Sequence, residues 1–118
     1  MDFNQHKPIY LQIVEQIEDK ILLGGWLADE RIDSVREMAT SLGVNPNTVM
    51  RSYEFLEREE IIYNKRGVGF FITPDAKDKI KFSRKKNFLE NEIPTLFAKM
   101  ALLEVDIEEV VSLYNQSK

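Results

Sequence analysis

The three residues between Leu42 and Pro46, Gly43-Val44-Asn45, constrain this chain more than any other feature. Gly43 offers the left-handed turn that ends a helix. Asn45 is a favoured helix cap and Pro46 a favoured first helical residue, so a new helix starts at once. Upstream, "SVRE" from Ser34 has the spacing of a capping box, in which Ser34 bonds the amide of Glu37 and Glu37 reaches back. This spacing predicts a short helix ending at Leu42 and another beginning at Pro46. Two helices joined by so tight a turn form either a helix-turn-helix or an ordinary hairpin within a core, and the turn alone does not separate them.

The flanking sequence narrows the choice. Pro8 suits a first helical position, and Ile9, Ile13, Ile17 and Ile21 follow at steps of four, with Tyr10, Val14 and Leu22 widening the stripe. Gly24-Gly25 stops that helix, and "WLADERID" reads as an irregular connection. After the third helix, "IIYNKRGVGFFIT" is rich in strand formers around a turn at Arg66-Gly67, with Gly69 beyond it. A helix-turn-helix followed directly by a β-hairpin is a winged helix, and the combination is far more specific than either half.

Beyond Pro74 the texture changes. Leu89, Ile93, Leu96, Met100 and Leu103 recur at steps of four, three, four and three, with Phe97 beside them, which is a heptad-like seam. Pro94 should kink this helix or begin a new one. Asp106 with Glu109 reads as a second capping box, opening a last helix with Ile107, Val110, Val111 and Tyr114 apolar. The expected fold is therefore α+β: a winged helix-turn-helix domain over residues 1–74, then a short α-helical dimerisation tail over residues 75–118. The tail is too short for an independent ligand-binding domain.

The third helix has two occupied faces. At about 100° per residue, Tyr53 and Leu56 fall within roughly 40° of Val49 and form a core face. Asn47, Arg51, Glu54 and Arg58 cluster on the opposite side. Asn45, Asn47, Thr48 and Arg51, at the start of that side, can hydrogen-bond base edges or phosphates. Glu54 fits a merely solvated face instead, or a pair with Arg58. Arg36 lies in the first turn of the second helix, where it could meet phosphate. Lys65 and Arg66 stand at the hairpin tip, suited to a minor groove, with Gly67 and Gly69 permitting close backbone approach.

Composition sets limits. The net charge is −4, with eight basic against twelve acidic side chains in residues 1–74 and eight of each in residues 75–118. DNA affinity would have to come from a local arrangement of cations. A basic run, Lys77, Lys79, Lys81, Arg84, Lys85 and Lys86, reads as a solvated helix face. There is no cysteine, and the single histidine, His6, has no second imidazole, so a zinc site or other cofactor is not expected. No apolar run approaches the roughly 20 residues of a membrane span, and the first residues lack a secretory layout, which fits the cytoplasm. No nucleophile–base pair or phosphate loop suggests an enzyme.

Together these residues resemble the GntR family of bacterial transcription regulators, and within it the YtrA-type subfamily with its short C-terminal region. "PIYLQIVEQIEDKILLGGW" looks like the opening helix, "IDSVREMATSLGVNPNTVMRSYEFLEREEII" like the helix-turn-helix, and "KRGVGFFIT" like the wing. The likeness covers most of the first 73 residues, and the tail is similar to the subfamily's two-helix dimerisation region. By that resemblance the DNA-contacting positions are Arg36, Asn45, Asn47, Thr48, Arg51, Arg66 and Gly67. It also implies a homodimeric repressor of a palindromic operator in double-stranded DNA, often controlling an ABC transporter operon. The chain departs from the family in three places. Ile32-Asp33 replaces a leucine-proline, which sets a negative charge near the expected phosphate. Asp29 replaces a loop glycine, and Glu60 replaces the glycine that ends the recognition helix. A winged-helix module for protein interaction is the competing reading, supported by the acidic first domain.

Overall fold

A computed structural model describes residues 7–118, so His6 lies outside the described residues. The chain divides into two compact units, one ending at Lys81 and one spanning Phe82–Lys118. The first contains α1 (Ile9–Leu22), α2 (Val35–Leu42), α3 (Pro46–Arg58) and a hairpin of β1 (Ile62–Lys65) and β2 (Gly69–Ile72). It also contains the start of α4 (Ala76–Asn87).

Local chemistry explains each boundary. Pro8 caps α1 from just outside it, its carbonyl accepting from the Leu11 and Gln12 amides, rather than opening the helix as its sequence position suggests. At α2 the capping box forms in full: the Ser34 hydroxyl accepts from the Glu37 amide at 3.1 Å, and Glu37 accepts from the Ser34 amide at 2.9 Å. These bonds hold the Glu37 carboxyl below its usual range. Because the folded value is depressed, this contribution is present above the ordinary carboxylate range and lost as pH falls through the lowered value. Gly43 closes α2 in the left-handed region at φ 67°, and Asn45 caps α3 through its own carboxamide oxygen.

The core lies where α1, α2, α3 and the wing converge. Ile13, Ile17 and Ile21 of α1 pack with Val49, Tyr53 and Leu56 of α3, closed by Met38, Ala39, Ile32, Ile62 and Ile72. Ile9, the first residue of the expected stripe, is an exception and stays 45% exposed at the helix start. Tyr53 ties the parts together. Its hydroxyl donates to the Asp33 carbonyl at 2.6 Å, and its ring meets Phe70 of the wing edge-on at 5.1 Å. Burial pushes that hydroxyl well above its usual pKa, with the Asp33 and Glu37 charges adding to the effect. Its neutral form stabilises the fold fully below about pH 10, and the contribution fades as pH rises above that.

Two features differ from the sequence reading of this unit. "WLADERID" is not merely irregular. Its end lies along β2, with Arg31 bridged to Phe71 and the Ile32 amide donating to the Phe70 carbonyl at 2.9 Å. The wing therefore has a third, very short edge. Packing also continues past the hairpin, because Ala76 and Ile80 of α4 are buried in the same core.

Asp29 and Glu60, standing where the family has glycine, both hold left-handed backbone, at φ 61° and 58°. Each costs on the order of 1 kcal/mol relative to glycine. Each side chain also gains a contact: Tyr63 donates to Asp29 at 2.9 Å, and Lys79 reaches Glu60 at 3.2 Å. The second pair is exposed, so it offsets only part of the strain.

In the second unit α4 runs into a π-helical turn (Phe88–Glu92), followed by α5 (Ile93–Leu103) and α6 (Ile107–Ser117). Pro94 lacks an amide hydrogen and crowds the preceding turn, and a wide turn is one way a helix absorbs this without ending. The expected interruption is thus a local widening. Glu104 takes left-handed backbone, and the Val105 amide returns to the Met100 carbonyl at 2.9 Å, which closes α5. The second capping box is not formed. Asp106 makes no side-chain cap bond, and the Glu109 amide donates instead to the Asp106 backbone carbonyl at 3.1 Å.

Candidate nucleic-acid interface

Because Val49, Tyr53 and Leu56 are buried, the opposite side of α3 is fixed outward. Asn47 and Arg51 are exposed, and Thr48 is half-buried at their flank. With Pro8, Ile9 and Tyr10 these three line a shallow concavity of about 390 Å³. Asn45 is exposed too, but its carboxamide oxygen already accepts the Asn47 amide at 2.7 Å. Its two amide donors and the second lone pair of that oxygen are left for a ligand. Asn47 and Thr48 offer donors and acceptors, and Arg51 a fork of donors, which is the set that reads base edges or grips phosphate.

Arg36 and the wing stand around a second groove of about 420 Å³. It is lined by Arg31, Ser34, Val35, Arg36, Pro46, Val68 and Gly69, among others. One wall is thus the start of α2, another the first residue of α3, and a third the wing. Lys65, Arg66 and Gly67 are exposed at the hairpin tip, with Lys65 placed over the Phe71 ring at 4.8 Å. Gly67 has φ 79°, as the turn needs, and the Val68 amide closes it onto the Lys65 carbonyl at 2.8 Å.

Sequence reasoning missed Arg31. Its guanidinium lies across Gly69, where an added Cβ would stand 2.9 Å from its Nε. It brings a further cation to the groove that holds Arg36. The available signal was alternation, since Arg31 and Asp33 are exposed on either side of buried Ile32. Asp33, whose charge the sequence sets near phosphate, lines a different cavity, with Gln16, Lys20, Trp26 and Ser41. It is not among the residues lining the Arg36 groove.

A helix-turn-helix whose second helix exposes hydrogen-bonding groups beside a cation-tipped hairpin defines a winged-helix DNA-binding protein. Residues 9–72 match the model for bacterial regulatory proteins of the gntR family, and the chain belongs to that family. It is 34% identical over 110 residues to the HTH-type transcriptional repressor YtrA of Bacillus subtilis (strain 168), covering 93% of this chain and 84% of that protein. A GntR family transcriptional regulator from Listeria monocytogenes has the same fold, with a TM-score of 0.81 and 37% identity over 97% of this chain and 98% of that one. The AraR DNA-binding domain, solved in complex with operator ORR3, matches at a TM-score of 0.56 and 26% identity, over 62% of this chain and 88% of that one. The protein is a DNA-binding transcriptional regulator and not an enzyme. Among the described residues no helix is long and apolar enough to cross a membrane.

Proposed function

We propose that this regulator is a repressor acting in the cytoplasm, binding a palindromic operator as a homodimer. Residues 1–74 serve as the DNA-binding part and residues 75–118 as the dimerisation part. The observation that carries the reading is the division of α3 into a buried apolar face and an exposed face bearing Asn47 and Arg51. Arg36, Asn45, Asn47, Thr48 and Arg51 meet the major groove and its phosphates, while Lys65, Arg66 and Gly67 meet the flanking minor groove. The apolar tail supports dimerisation: Leu89, Leu96, Phe97 and Leu103 are exposed, Ile93, Met100 and Val110 only half-buried, and no residue of α5 or α6 is buried. The subfamily resemblance and the likeness to the YtrA repressor favour repression, and the resemblance extends to control of an ABC transporter operon. The test is selection of duplexes from a random library by the purified protein. Enriched sequences should contain two inverted half-sites centred about one helical turn apart, roughly 34 Å. Enrichment of a single unrepeated site, or none, refutes the palindrome. An acidic protein-interaction module would retain no duplex at low salt.

The wing should add affinity more than sequence preference. Replacing Lys65 and Arg66 together with Ala is expected to weaken binding to selected and unrelated duplexes alike. The salt dependence should flatten by about one unit of slope for each phosphate that the wing no longer touches. Titrations across a range of salt concentrations measure this, and an unchanged slope would remove the wing from the interface.

A further inference from the structure

Arg51 is held by a residue outside the helix-turn-helix. Its guanidinium carbon lies 4.0 Å from the centre of the Tyr10 ring, on the first turn of α1. That turn is fastened to α3 by a separate bond. The hydroxyl of fully buried Ser52, the next residue after Arg51, donates to the Tyr10 carbonyl at 2.7 Å. The chain ahead of α1 is held too, because Gln12 donates its side-chain amide to the Lys7 carbonyl at 2.8 Å. The backbone that carries the ring is therefore fastened to α3, next to the residue the ring touches.

The chemistry of the partner matters. An arginine held by a carboxylate spends its donors and its charge on that carboxylate. An aromatic face attracts the cation through its π-electrons and leaves the five N–H donors at the guanidinium edge free. Among the described residues no carboxylate is paired with Arg51. We propose that Tyr10 is a positioning residue for Arg51, holding its guanidinium beside Asn47 and Thr48 with the hydrogen-bonding edge left free for DNA. The proposal rests on the reading of Arg51 as a DNA contact. It makes the opening helix part of the recognition surface, through a ring and not through a contact of its own with a base.

The experiment uses the full chain and a duplex selected from a random library by the wild-type protein. Tyr10→Phe keeps the ring and should leave affinity unchanged. Tyr10→Leu should lower affinity about two- to fivefold. In an Arg51→Ala background the same Leu substitution should have no further effect, because nothing remains to be positioned. An equal loss in both backgrounds overturns the proposal, as does undiminished affinity in Tyr10→Leu. If Arg51→Ala alone leaves affinity unchanged, the DNA role of Arg51 fails first, and the proposal falls with it. Proton spectra of the free protein give a readout independent of DNA and of whether the Leu variant folds. Ring currents should move the Arg51 side-chain protons upfield in the wild type and in Tyr10→Phe. Ordinary Arg51 shifts in the folded wild type would overturn the proposal.

Discussion

Arg51→Ala is expected to weaken binding to a selected operator by about 1–3 kcal/mol, roughly a five- to 150-fold loss. The residue sits centrally on the exposed side of α3, and its guanidinium edge can pair with the two acceptors of a guanine or with phosphate oxygens. Stability should fall only slightly, by about the 0.5–1 kcal/mol of an exposed cation–π contact, since the side chain is outside the core. Arg51→Lys separates the two modes. A phosphate contact tolerates a point charge, whereas two-pronged guanine recognition does not. Equal affinity of wild type and Arg51→Ala for the selected duplex in a titration would remove the residue from the interface. A large drop in melting temperature would give it a structural role instead.

The second large effect concerns the tail. A chain ending after Lys81 should be monomeric at micromolar concentration and should bind its operator roughly 10²–10⁴-fold more weakly, because the two half-sites are then engaged independently. Ending it after Pro74 would confuse the result. That cut removes Ala76 and Ile80, which are 0% and 1% exposed, and so damages the first unit itself. The case for association is physical: two short helices with no buried residue have little core of their own. A second copy could cover Leu96, Phe97 and Leu103 around a two-fold axis. Sedimentation equilibrium reads the outcome directly. A monomeric full-length protein, or a dimer that survives the truncation, would show that the tail is not what joins the copies.

Local backbone chemistry was the most legible part of the sequence. Ser34, Glu37, Gly43, Asn45 and Pro46 dictate helix ends through bonds to near neighbours, and each end forms where their types place it. The outward face of α3 was legible because Val49, Tyr53 and Leu56 leave the opposite side no alternative. What escaped depended on distant partners. Arg31 reads as loop until β2 lies beside it, and the Tyr10–Arg51 stack joins residues 41 positions apart, beyond any periodicity. Asp106 failed in the other direction: its type and spacing suit a capping box, yet its side chain makes no cap bond.

The widened turn at Phe88–Glu92 sets the phase of the helix that follows it. A π turn holds one residue more than an α turn, and each helical residue advances the azimuth by about 100°. Within the second unit, the stripe on α5 is therefore out of phase with the residues before Phe88 by about that angle. Leu96, Phe97 and Met100 all follow the turn, so loss of a single codon there would swing them around the axis together, their spacing to one another unchanged. The apolar stripe of α5 would keep its own pattern through such a change, and only its phase relative to the helix before Phe88 would be reset.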